Sequence, residues 1–106
     1  MDRSTIIYLI SEMQSQDDIG QFVPKETERQ VYAKKQSISR NEWFEAGRNG
    51  LRPDICFVVF RYDYNGELII EDEYGKRYGV YRTYENQSEE IELYCESKGG
   101  LEVGNA

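Results

Sequence analysis

Ile55-Cys56-Phe57-Val58-Val59-Phe60 is apolar at every position. Successive side chains of a strand point to opposite faces, so this run needs cover on both sides. It reads as the central strand of a β fold. Outward from it, the chain keeps the same style. Asp63-Tyr64-Asn65-Gly66 follows, and Asn-Gly between apolar runs predicts a tight hairpin returning through Glu67-Leu68-Ile69-Ile70-Glu71. A second turn at Glu73-Tyr74-Gly75-Lys76 leads into a long strand, Arg77 to Tyr84. After Glu85-Asn86-Gln87-Ser88, Glu90 to Glu96 alternates, with Ile91, Leu93 and Cys95 inward and Glu90, Glu92 and Glu96 outward.

Upstream, Glu28 to Lys34 reads as a strand with Val31 and Ala33 on one face. Ile6 to Ile10 reads as the first strand, with a turn at Asp17, Asp18 and Gly20. Phe22-Val23 before Pro24 is expected to be a short edge segment. Short strands joined by tight turns predict an all-β fold, a small antiparallel barrel or sandwich, and closure into a barrel would remove exposed edges. The expected core is Ile55, Phe57, Val59, Val80, Ile91, Leu93 and Trp43.

One segment departs from this pattern. Ser39-Arg40-Asn41-Glu42 has the spacing of a capping box, in which the Ser39 hydroxyl takes the Glu42 amide and the Glu42 carboxylate returns to the Ser39 amide. Ile38 and Trp43 are placed for a hydrophobic staple, and Gly47 is a candidate C′ residue. A helix is therefore predicted from about Arg40 to about Ala46. Arg48-Asn49-Gly50-Leu51-Arg52 follows as a loop, and Pro53 bars continuation.

The chain has 106 residues, 13 basic and 20 acidic, for a formal charge of −7. One domain is expected, residues 1–98, with a helix-loop insertion at about 36–52 and a loose tail over 99–106. The charge disfavours free-standing nucleic-acid binding. The chain has no histidine, which removes the commonest general base and the commonest zinc ligand. Cys56 and Cys95 each sit in an apolar strand pattern and read as reduced core thiols. No signal peptide or transmembrane run is recognisable, so a soluble protein of a reducing compartment is expected.

The acidic pairs Asp17/Asp18 and Asp72/Glu73 fall in turns, the serines lack a base, and the glycines form no phosphate loop. No enzyme activity, metal or cofactor is expected. The competing function is single-stranded nucleic-acid binding by a small OB-like barrel, since tyrosines and arginines cluster between Arg61 and Tyr84. Tyrosine is also an ordinary strand residue, which favours a structural role for most of them.

The order of motifs is more specific than any one of them. Val31-Tyr32-Ala33, Ser37 to Gly47, Gly50-Leu51-Arg52-Pro53 and Asp63-Tyr64-Asn65-Gly66-Glu67 resemble the head-closure proteins of tailed bacteriophages, also called stopper or head–tail joining connector proteins. Gly75 to Tyr84 and Glu90 to Glu96 look like the closing strands of that family. The resemblance runs to about Lys98 and fits phages and prophages of Gram-positive hosts best. It implies a small β-barrel with a helix inserted between two strands, assembled as a homo-oligomeric ring in the virion after synthesis in the host cytoplasm. Head adaptor and portal proteins would lie on one side, and tail-completion or tail-tube proteins on the other. Packaged double-stranded DNA would pass through without sequence-specific binding, with no membrane involved. Carried onto this chain, the insertion makes Ser37, Ser39, Arg40, Asn41, Glu42, Arg48, Asn49 and Arg52 the candidate channel or interface residues.

Overall fold

The computed structural model describes residues 5–98. The expected tail over 99–106 lies outside the described residues. Six strands, β1 (Thr5–Gln16), β2 (Phe22–Gln36), β3 (Pro53–Phe60), β4 (Ile69–Asp72), β5 (Arg77–Glu85) and β6 (Glu90–Ser97), form a closed antiparallel barrel in the order β1-β2-β3-β6-β5-β4. One helix, α1 (Arg40–Arg48), is inserted between β2 and β3.

The interior follows the alternation of the strands. Ile7 and Leu9, Val31 and Ala33, Phe57 and Val59, Ile70, Tyr78, and Ile91, Leu93 and Cys95 form one buried cluster. Phe57 has no exposed surface and meets the Tyr78 ring edge-to-face, centroids 5.3 Å apart. Ile55 and Val80, expected to be largely buried, are half-buried against this cluster. Ile55 enters the strand just after a register shift following Pro53, and Val80 stands beside a bulge, so both lie where the wall is irregular. The other face of β3 is also covered. Cys56 and Val58 are buried there, and α1 packs on this strand. The doubly apolar run thus has the two-sided cover its sequence demands. Both thiols are free and buried, and desolvation pushes that of Cys56 up to about 12 and that of Cys95 higher still.

The Asn65-Gly66 hairpin does not form. Both edges of β3 are taken, by β2 and β6, so the returning chain cannot pair with it. Instead a 3-10 turn at Arg61–Asp63 turns the chain toward β1, where β4 pairs as Ile7↔Asp72 to Ile10↔Ile69. The crossing is held by Glu67, which is buried and accepts from Arg29 Nη2 (2.6 Å) and the Asn65 amide (2.9 Å). The Tyr64 hydroxyl donates to the Glu67 carbonyl at 2.5 Å. The following turn does match expectation. The buried carboxylate of Asp72 accepts from the amides of Tyr74 and Lys76, both at 2.9 Å, and from the Tyr78 hydroxyl at 3.3 Å.

The first hairpin is longer than expected. β1 runs to Gln16, and β2 begins at Phe22 and includes Pro24. β1 pairs with β4 only as far as Ile10, and β2 meets β3 only at Lys34 to Gln36. The remainder is a two-stranded arm, and Pro24 is tolerated because its side of the ribbon is an open edge. Arg77 clamps the base of the arm, donating to both oxygens of Glu26 at 3.0 and 3.1 Å and to Glu71 at 2.9 Å. At the tip, Asp17 Oδ1 accepts from the amides of Ile19 (3.0 Å) and Gln21 (2.9 Å), closing the turn.

Candidate functional site

The helix begins where its cap requires. Ser39 is extended, and its hydroxyl accepts from the Glu42 amide at 3.1 Å. The capping box is only half made, however. The Glu42 carboxylate does not return to Ser39 but accepts from the Tyr81 hydroxyl (2.7 Å) and from both Nε and Nη2 of Arg82. A charged, two-nitrogen partner outcompetes a backbone amide. The end also differs from expectation. The helix continues through Gly47 to Arg48, with Asn49 as C-cap. Gly50, at φ +80°, is the C′ residue, and its amide donates to the Gly47 carbonyl while that of Leu51 donates to Ala46, both at 3.0 Å. This is the Schellman pattern, and it needs the left-handed residue three positions later than Gly47.

Consecutive strand residues normally point to opposite faces, yet Tyr81 and Arg82 both reach Glu42. The register of β5 on β6 explains this. Val80 opposes Cys95 and Arg82 opposes Tyr94, leaving Tyr81 without a partner in a bulge. Arg82 also lies 4.1 Å from the Tyr94 ring centroid, and the Tyr94 hydroxyl donates to Glu92 at 2.5 Å. Burial raises the Glu42 pKa, but Arg82 and Tyr81 outweigh it and hold the carboxyl below its ordinary value. Burial and the Glu42 carboxylate push the Tyr81 phenol well up. The network is a charged latch that fixes the helix to the barrel.

This latch overturns one expectation about the core. Trp43 is 54% exposed and Phe44 55% exposed. The helix turns Glu42, Ala46 and Asn49, an i, i+4, i+7 stripe, toward Tyr81, Arg82 and Leu51, and Ala46 is its buried residue. Trp43 and Phe44 are rotated outward, packed edge-to-face at 5.6 Å between centroids. With Ile38, Ser39 and Arg40 they line an open groove of about 490 Å³.

The candidate residues therefore divide. Ser39 and Glu42 have structural roles, in the cap and the latch. Asn49 closes the helix, its side-chain amide donating to the Glu45 carbonyl at 3.2 Å. Arg48 pairs with Glu45 at 3.2 Å. The backbone of Arg52 donates to Glu96 at 3.2 Å, and its side chain is exposed. Ser37, Arg40 and Asn41 are exposed. Sequence reasoning missed Tyr81 and Arg82, and it missed the solvent-facing role of Trp43 and Phe44. The only sequence signal for the latter was two large aromatics beside a single small residue, Ala46, on so short a helix.

The arginines of the tyrosine-rich region are engaged with carboxylates. Arg61 lies 3.7 Å from Glu85, Arg77 binds Glu26 and Glu71, and Arg82 binds Glu42. Among the described residues no group of three or more His, Cys, Asp or Glu side chains could hold a metal ion, and no helix is long and apolar enough to cross a membrane.

A solved structure is similar to this chain. It is the solution structure of protein SF1141 from Shigella flexneri 2a, a structural-genomics target, with a TM-score of 0.71 and 14% identity over 90% of this chain and 92% of that one. No family model matches the chain, and no curated protein matches it. At that identity the likeness concerns the fold alone.

Proposed function

We propose that this chain is a structural subunit of the head-closure type, which assembles as a ring beneath a phage portal and its adaptor and closes the DNA-filled head. The observation that carries this reading is the solvent-facing apolar surface of the inserted helix. A short helix latched to the barrel by Glu42 presents Trp43 and Phe44 to water beside an open groove. Contiguous apolar surface rimmed by charge marks a contact with another macromolecule. The position of this helix between β2 and β3 agrees with the resemblance carried by Ser37 to Gly47, where the family places the insertion that faces the channel. The neutralised arginines fit a surface past which DNA slides, and they remove the basic funnel that a single-strand binder would use. On this reading the chain has no catalytic role.

The decisive experiment removes the gene from the phage or prophage that encodes it and images the particles by negative stain. Tailless heads that fill and then lose their DNA are expected. Normal infectious particles would overturn the proposal.

A further inference from the structure

The arm has no task within the barrel, yet it is built with care. Its turn is closed by Asp17, its two strands are joined by the Ser11 to Thr27 hydroxyl bond at 3.1 Å, and its base is clamped by Arg77. Such an arm is held in one direction, so ordering it on a partner costs little. Its tip carries apolar side chains in water. Ile19 is 78% exposed and Phe22 66%, while Met13 and Val23 lie on the other face of the ribbon. Asp17 and Asp18 lie in the same turn.

The groove of α1 is the complement of this tip. It is apolar along Ile38, Trp43 and Phe44, and Arg40 stands at its edge without a partner among the described residues. Arg40 occupies the first turn of a helix, where the backbone already presents positive charge, so an incoming carboxylate is favoured twice. Phe22 is the first residue of β2, and Ile38 follows its last residue by two. About 50 Å of paired strand separates them at the usual rise per residue. That strand holds tip and groove at opposite ends of one hairpin, so the tip of one copy must find the groove of another.

We infer that the β1–β2 arm of one copy docks through Phe22 and Ile19 into the Ile38–Trp43–Phe44 groove of a second copy, with Asp18 against Arg40. The two surfaces differ, so the contact is head-to-tail. Repeated around a closing rotation it makes a ring, and without closure a filament. This inference rests on the self-assembling reading given above and names the contact that would join its subunits.

The test uses two variants of the full chain, Phe22→Ser in the arm and Trp43→Ser/Phe44→Ser in the groove. All three positions are solvent-facing, and near-UV circular dichroism confirms the fold. Sedimentation velocity and native mass spectrometry then follow self-association. Wild type is expected to associate, and each variant alone to associate more weakly by about 30-fold or more, as for loss of an interface anchor. Mixed, the two variants are expected to form a one-to-one dimer that grows no further, because one intact arm and one intact groove remain. Failure of the mixture to dimerise would overturn the head-to-tail contact. So would variants that assemble like wild type, even if heads lacking the protein still leak. Wild type that stays monomeric at high concentration would also overturn it, and the head-filling experiment would then judge the ring reading separately. If either variant misfolds, Asp18→Arg and Arg40→Asp replace them. Each alone is expected to weaken association and the two together to restore it, and absence of restoration counts against the contact.

Discussion

Replacing Phe57 by Ala tests whether the barrel interior is packed as described. The side chain is fully buried, lies in the central strand, and contacts the Tyr78 ring edge-to-face at 5.3 Å. Truncating a buried phenylalanine costs about 3–5 kcal/mol, including the cavity left behind. The aromatic pair contributes about 0.5–1.5 kcal/mol of its own. The neighbours that would have to collapse into the gap belong to strands paired on both sides, so relaxation is restricted and a value near the upper end, about 4–5 kcal/mol, is expected. Small domains have about 5–15 kcal/mol in total, so the variant should sit near its unfolding transition at room temperature. Phe57→Leu, which keeps most of the volume, should lose less than about 1.5 kcal/mol. Urea unfolding followed by tryptophan fluorescence and far-UV circular dichroism gives both numbers. A loss below about 1 kcal/mol for Phe57→Ala would mean that the ring does not fill the barrel, and the packing account would fail.

Ser39→Ala should cost about 1 kcal/mol through loss of the N-cap bond, and the same unfolding assay would expose an unmade cap as no change. For Glu67, burial raises the carboxyl pKa but Arg29 and the Asn65 amide outweigh it, so the folded value lies below the unfolded one, as it does for Glu42. The unfolded chain therefore binds more protons, and this stability is complete above the ordinary carboxylate pKa of about 4.3 and lost as pH falls through the folded values. Urea midpoints should decline through that acid range, and less steeply in Glu67→Gln; an unchanged slope would discount the buried pair. Oligonucleotides should show no tight, salt-sensitive binding, and a submicromolar complex weakening steeply with salt would revive the single-strand reading. If the chain forms a ring, amides of Arg48 to Arg52 should exchange faster in the free subunit than in the ring, since so short a helix depends on packing; equal protection would exclude ordering on assembly.

The sequence was most informative where one face of an element must be dry. The apolar run at Ile55 to Phe60 and the alternation of Ile91, Leu93 and Cys95 place the central strand and its neighbour correctly. Ser39 starts the helix where expected because a cap is local chemistry. The rest depended on what lies far away in the chain. Asn65-Gly66 has hairpin chemistry, but β6 had taken the edge that a hairpin would need. The arm was underestimated because its strands have no core to face and so carry no alternation. Trp43 reads as an anchor until Tyr81 and Arg82 bind Glu42 and fix the rotation of the helix. That contact relies on a bulge, which no residue spacing reveals.

The barrel wall is unevenly sewn. β3 and β6 share pairs from Pro53↔Glu96 to Phe60↔Glu90, and β5 and β6 pair over a similar length. By backbone pairing the first hairpin joins the rest through two short seams, Lys34↔Val58 to Gln36↔Cys56 on one side and Ile7↔Asp72 to Ile10↔Ile69 on the other. The second seam also unites the most distant parts of the sequence, so its loop-closure entropy falls due late in folding. With fewer ladder pairs to its neighbours than the β3–β6–β5 wall, the hairpin is the unit whose exchange between chains would break the fewest backbone bonds in a domain-swapped dimer.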